Sequence, residues 1–280
     1  MTDIYELDRE EMHRQNLQRL RGLRPIDDDF MRSLFHDNIP LVQLVLRIIT
    51  GMDDLVITSC DTQADMKRVT GARSLCLDAY GTDSSGKKYD LEIQRSDKGA
   101  DPHRARYHRS VMDIENLDAG QEFSELPDTY TIFITEKDFF GQGRSAYVFC
   151  TMDEKTGEPF NDGTKIIYVN GEYRGEDALG KLMHDFNCSN ADDMHYELLA
   201  EKTKYYKENQ EGVQIMCKAL EDMTREAEAR GEARGEARGF KTLTELISDG
   251  VLTASQAAAK MKLSEKQFRE KMNELGLSVP

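Results

Sequence analysis

The stretch SLCLDAYGTDSSGKKYDLEIQRS, residues 74–96, decides the fold. Residues 74–82 and 88–95 carry two strand patterns, and Asp83-Ser84-Ser85-Gly86 between them has turn chemistry. A hairpin is predicted. Strand side chains alternate in direction, so Leu75, Leu77 and Ala79 share one face while Cys76, Asp78 and Tyr80 share the other. On the second strand Leu91 and Ile93 point one way, and Asp90, Glu92 and Gln94 point the opposite way. Pairing the two strands sets Asp78 beside Glu92 and Gln94 on one surface.

That juxtaposition has chemical consequences. An Asp between apolar neighbours on a strand is costly to bury uncompensated. Two converging carboxylates also repel, and a hard divalent cation resolves both problems. Mg²⁺ binds through one or two carboxylates plus waters and phosphate, so Asp78 and Glu92, with the Ile93 backbone carbonyl, form a candidate site for Mg²⁺ or Mn²⁺. Such an ion lowers the pKa of a bound water and stabilises charge on phosphoryl oxygens. Gln94 then orients the water or touches the phosphate. The plainer alternative is an amphipathic hairpin whose polar face, Asp78 included, meets solvent. Spacing by itself leaves both open.

Working outward, Asp27, Asp28 and Asp29 offer N-capping carboxylates ahead of the apolar-periodic Phe30, Met31, Leu34 and Phe35. Leu41, Leu44, Val45 and Ile48 recur at helical spacing. Residues 55–60 (LVITSC), 130–135, 146–150 and 165–169 read as strands, and residues 101–119 as a helix. The first 24 residues form a polar, helix-prone extension with Leu17, Leu20 and Leu23 as sparse contacts. From 176 onward the pattern is mainly helical.

Residues 226–239 repeat a tetrapeptide, EAEARGEARGEARG. A period of four stacks Glu228, Glu232 and Glu236 in one column and Arg230, Arg234 and Arg238 in another. With like charges stacked, a Gly in each repeat and no apolar seam, a semi-flexible helical linker is expected over residues 211–240. Beyond it, Thr253 with Gln256 and Ser264 with Gln267 have capping-box spacing. They delimit two short helices in residues 241–280, the outline of a helix-turn-helix or of a simple packing hairpin. Lys266, Arg269 and Lys271 on the second helix are candidate DNA contacts.

The bulk numbers set limits. The 280 residues suffice for one sizeable core plus an appendage. No apolar run is long enough for a membrane span, and the charged N-terminus lacks a signal-peptide core. Five scattered cysteines fit neither a disulfide framework nor a metal knuckle, so buried, reduced thiols in a cytoplasmic protein are expected. Nothing suggests zinc, a phosphate-binding Gly loop or a small-molecule cofactor. Net charge is −15. Residues 201–280 hold 14 basic and 14 acidic residues, so the whole excess lies in the first 200. An acidic core predicts weak, salt-sensitive affinity for DNA.

Residues from about 25 to 210 resemble the PD-(D/E)XK nuclease family transposases, also called recombination-promoting nucleases. DDDFMRSLFHDN (27–38) is similar to the family's opening helix, and residues 74–96 to its Asp strand and Glu-x-Gln strand. RARYHRSVMDIENLDAGQEFSELPDTYTIFIT (104–135) looks like the following helix and core strand, and IIYVNGEY (166–173) like a late strand and turn. The Ala-Arg-Gly-Glu repeat is also typical. The resemblance implies an α/β, restriction-endonuclease-like core, a central mixed sheet flanked by helices, at residues 25–210. It implies a metal-dependent DNA endonuclease linked to recombination or transposition, with Asp78, Glu92 and Gln94 as catalytic residues. Gln94 falls where the superfamily usually has lysine, which implies either slow turnover or a charge supplied from the turn by Lys87 or Lys88. Asp29 is the candidate for a further acidic ligand from the opening helix, and it serves equally as an N-cap. Arg104 and Tyr107 are candidate DNA-backbone contacts, although His108 stands where the family usually has a second tyrosine. Many nucleases of this fold work as homodimers, yet no segment marks an interface. The rival is a nuclease-fold protein of little or no activity that acts as an interaction module, a reading favoured by the acidic charge and by Gln94.

Overall fold

The hairpin forms as the alternation predicts. In the computed structural model, which describes residues 2–66, 75–95 and 97–277, β2 (Leu75–Asp83) and β3 (Lys88–Gln94) pair antiparallel, Ala79 opposite Leu91 and Thr82 opposite Lys88. The described side chains exclude those of residues 2–10, 29, 63, 97 and 98. Along β2, Leu77 and Ala79 are buried while Asp78 and Tyr80 are partly open. The Asp83 carboxylate closes the turn by accepting from the Ser85 and Lys87 backbone N–H groups and the Tyr89 hydroxyl. Gly86 takes φ +88°, a conformation open to glycine at no steric cost.

A strand on each side extends the hairpin. β1 (Ile57–Met66) is longer than the strand expected at 55–60 and pairs along β2 to Leu75. Its polar second half, DTQAD, hides it from an apolar-pattern reading, because β1 is an edge strand. β4 (Thr129–Thr135), β5 (Ala146–Phe149) and β6 (Thr164–Asn170) complete the order β1-β2-β3-β4-β6-β5. β3, β4 and β6 run parallel, and the outer pairings are antiparallel. Parallel neighbours need a crossover, which α4 (Pro102–Glu115) supplies between β3 and β4. Central parallel strands are covered on both faces, and β4, TYTIFIT, is buried at every position.

Helices α1 (Thr2–Gly22), α2 (Asp28–Phe35) and α3 (Ile39–Thr50) precede the sheet, and α5 (Ala178–Phe186) and α6 (Glu197–Glu208) follow it. The mixed sheet flanked by helices is a restriction-endonuclease-like α/β core. Capping differs from expectation at α2: Asp27 stands at the N-cap but makes no side-chain cap bond. Its carboxylate is drawn instead into ion pairs with Arg24 and Arg95. All five cysteines are free. Cys217 is buried, whereas Cys76 and Cys150 are exposed, which corrects the expectation of uniformly buried thiols.

The chain divides into two compact units, Met1–Ala219 and Leu220–Pro280. α7 (Gln210–Ser248) runs as one helix through the tetrapeptide repeat, with Arg230 paired to Glu226 at 3.3 Å. In the second unit α8 (Ala254–Lys260) and α9 (Glu265–Glu274) both start on the capping boxes that the spacing predicts. Phe240, Leu243, Ala257, Ala258, Phe268 and Met272 form its core, with the Phe240 and Phe268 rings stacked at 5.1 Å.

Candidate metal centre

The site lies where two strands part. The β2–β3 ladder ends at Ala79 and Leu91, while β2 stays on β1 as far as Leu75 and β3 stays on β4 as far as Gln94. Backbone groups at the split need partners, and side chains supply them. The Asp78 N–H donates to Glu92 Oε1 at 2.9 Å, and the Ile93 N–H donates to Asp78 Oδ2 at 3.1 Å. Gln94 Nε2 donates to Glu92 Oε2 at 3.4 Å. The three residues named from the sequence are thus brought together.

α4 adds Arg104, expected from the sequence to touch the DNA backbone, and His108, whose part with Asp90 sequence reasoning missed. Arg104 Nη2 lies 3.2 Å from Glu92 Oε2, and Arg104 Nε donates to His108 Nε2 at 3.1 Å. His108 Nδ1 is 2.9 Å from Asp90 Oδ2. An arginine can only donate, so His108 Nε2 carries a lone pair, and the ring proton sits on Nδ1 and goes to Asp90. Asp90, His108 and Glu92 are 0%, 0% and 1% exposed, so this chain of polar groups lies within the fold. The Phe133 ring meets His108 edge-on at 5.5 Å. Two signals were available in the sequence: Asp90 shares strand parity with Glu92, and Arg104 and His108 are spaced i,i+4.

The electrostatics are unfavourable as they stand. Burial pushes the Asp90 carboxyl well above the usual carboxylate range, and the Asp78 charge adds to it. Burial does the same to Glu92, reinforced by Asp90 and Asp78. Burial raises Asp78 too, opposed by the Ile93 N–H bond and aided by the charge of Asp28. His108 is driven down by burial to about 4. Among the described residues no donor reaches the buried Asp90 Oδ1. Three crowded carboxylates with an orphaned oxygen must hold either protons or a cation, and this donor set fits a hard divalent ion. One oxygen or nitrogen from each of Asp90, Glu92 and His108 lies within 4.8 Å of the others. Both His108 nitrogens are engaged, however, which leaves the carboxylates as the donors.

A model of the family described as PD-(D/E)XK nuclease family transposase matches residues 57–230. The chain belongs to that family. No curated protein and no solved structure matches it. The match to the PD-(D/E)XK nuclease family transposases opens at the start of β1, so α1, α2 and α3 lie ahead of it.

The remaining candidates fall as follows. Asp29 is on α2, and its side chain lies outside the described residues; Asp28, next to it, is the α2 carboxylate whose charge acts on Asp78. Lys87 and Lys88, expected to supply a cation, sit at the turn end of the hairpin. Lys87 lies 3.6 Å from Asp128, and Lys88 bonds Thr82. The cation that meets Glu92 is Arg104, read beforehand as a DNA contact. Tyr107 is half-buried on α4. Lys266 and Arg269 are exposed on α9 in the second unit, each paired with a glutamate of the same helix, Glu270 and Glu265.

Proposed function

We propose that the chain is a divalent-metal-dependent deoxyribonuclease that hydrolyses phosphodiester bonds, in recombination or transposition. One observation carries the reading: Asp78 and Glu92 meet across a strand split, and Asp90, on the same face of β3 as Glu92, has a buried Oδ1 that no donor among the described residues reaches. Asp78 is the most open of the three, so an ion reachable by substrate is held by Asp78 and Glu92, with the Ile93 carbonyl as a further donor. Mg²⁺ or Mn²⁺ bound there supplies a water of lowered pKa and charge stabilisation at the phosphoryl oxygens. Asp90, deeper, holds His108 through its contact with Nδ1. Gln94, anchored on Glu92 through Nε2, directs its amide oxygen at the attacking water.

DNA is the substrate that the family description supports. On a chain of net charge −15, affinity rests on local contacts: the cations Arg104, Lys266 and Arg269 and the hydroxyl of Tyr107 are the proposed ones. α9 suits that role: Phe268 and Met272 are buried in the core of its unit, while Lys266 and Arg269 stay exposed. Their glutamate partners are surface pairs worth about 0–1 kcal/mol, which phosphate can displace. No described helix is long and apolar enough to cross a membrane, and a cytoplasmic location suits a DNA substrate.

The acidic surface favours one other reading, a nuclease-fold interaction module without useful activity. Calorimetric titration with Mg²⁺ separates them. Wild type is expected to bind and Asp78→Ala is not; equal behaviour of the two rejects the metal site.

A further inference from the structure

We propose that Arg104 is a catalytic cation that contacts the scissile phosphate, filling the place left neutral by Gln94, and that His108 and Asp90 are positioning residues for it. The assignment rests on the nuclease reading above.

The need follows from charge. A phosphodiester approaching an ion held by Asp78 and Glu92 brings a third negative charge, which one divalent ion does not neutralise together with its two carboxylate ligands. Gln94 adds no charge. Arg104 does, and its ion pair with Glu92 at 3.2 Å puts it at the cluster. Its side chain is 37% exposed, so the guanidinium is held from the inside while standing at the mouth of the site. A guanidinium presents several N–H donors in a fixed plane, which suits two-point contact with phosphate oxygens.

Its aim is set from beneath. A long arginine side chain has many rotamers, and two bonds remove that freedom: Nη2 to Glu92 and Nε to His108 Nε2. His108 can accept only because its proton is held on Nδ1 by Asp90. Burying an imidazole–carboxylate pair at 0% exposure is costly, and apolar residues of similar size would fill the space without that cost. The pair gives in return a fixed acceptor under Arg104. His108 is therefore not an ion ligand, despite its closeness to Asp90 and Glu92. Arg32 of α2 is the rival cation, since its charge acts on Asp78.

The test is steady-state cleavage of supercoiled plasmid by the full chain with Mg²⁺ or Mn²⁺. Arg104→Met is expected to lower kcat on the order of a hundredfold, the scale of losing one preorganised transition-state donor, with Mg²⁺ binding by calorimetry retained. Millimolar guanidinium is expected to restore part of the activity of Arg104→Ala. His108→Gln, which can still accept from Arg104 and donate to Asp90, is expected to keep most activity, whereas His108→Leu loses it. In an Arg104→Met background His108→Leu is expected to cost nothing more, which a merely structural role would not produce. Arg104→Met cutting at the wild-type rate overturns the assignment, as does a loss that follows Arg32→Met instead or additive losses in the double variant. A folded wild type that leaves the plasmid intact with every metal removes the nuclease reading and this assignment together; cutting wild type with indifferent variants removes the assignment alone.

Discussion

Asp78 and Glu92 satisfy each other across a gap in the sheet: the Asp78 N–H donates to Glu92 Oε1 at 2.9 Å, while Asp78 Oδ2 takes the N–H of Ile93, the residue after Glu92. Hydrogen bonds that a ladder would make are made by carboxylate side chains. The carboxylates are thereby fixed to backbone on both strands, which preorganises them for an ion.

The pH dependence of metal stabilisation follows from the raised carboxyl pKa values. Asp78, Asp90 and Glu92 bind protons more tightly folded than unfolded, so the stability they contribute is present at low pH and lost as pH rises through their raised values. His108 is opposite: lowered to about 4, it costs stability as pH falls below its unfolded value of about 6.5. Above about 6.5 only the carboxylates act. Mg²⁺ replaces their protons, so the rise in Tm on adding Mg²⁺ is expected to grow toward alkaline pH. Differential scanning fluorimetry checks this, and a flat response counts against ion binding at these groups.

Gly99 limits the position of Gln94. A Cβ built there would overlap Gln94 Oε1 and crowd its Cδ. The clash is with the end of a flexible side chain, so Gly99→Ala should fold normally while displacing the amide. Activity about tenfold lower at unchanged Tm is expected. Full activity would show that Gln94's position is immaterial.

Asp185 of α5 is a stability test outside the candidate metal centre. It is fully buried and accepts the backbone N–H groups of His195 and Tyr196 at 2.8–2.9 Å. Asp185→Ala leaves those donors unpaired and is expected to cost about 1–3 kcal/mol in urea unfolding. A loss below the resolution of that experiment would mean that water replaces the carboxylate.

The role of α9 is open to charge reversal. Lys266→Glu with Arg269→Glu is expected to weaken binding of a labelled duplex in EDTA by roughly tenfold and to shallow the salt dependence. Anisotropy that does not change would leave α9 as a packing helix.

The hairpin, its face parity and the capped C-terminal helices were legible because each rests on local rules: period-two alternation, turn residues and cap spacing. Asp78, Glu92 and Gln94 came with that pattern and with the family resemblance. The part played by Asp90, His108 and Arg104 was not legible, because it needs α4 laid over β3, a tertiary fact that no single-segment pattern carries. The same limit applies to Lys87 and Lys88. They are near Glu92 in sequence, but on an extended strand four residues from Lys88 to Glu92 span about 13 Å. β1 was foreshortened for a different reason, since an edge strand need not alternate with apolar residues.

Plasmid nicking at low salt with Mg²⁺ or Mn²⁺, comparing wild type with Asp78→Ala and Glu92→Ala, tests the central claim most directly. Metal-dependent nicking by wild type that both variants lose is the expected result. Folded wild type that leaves the plasmid intact with every metal, or variants that nick as wild type does, would contradict it.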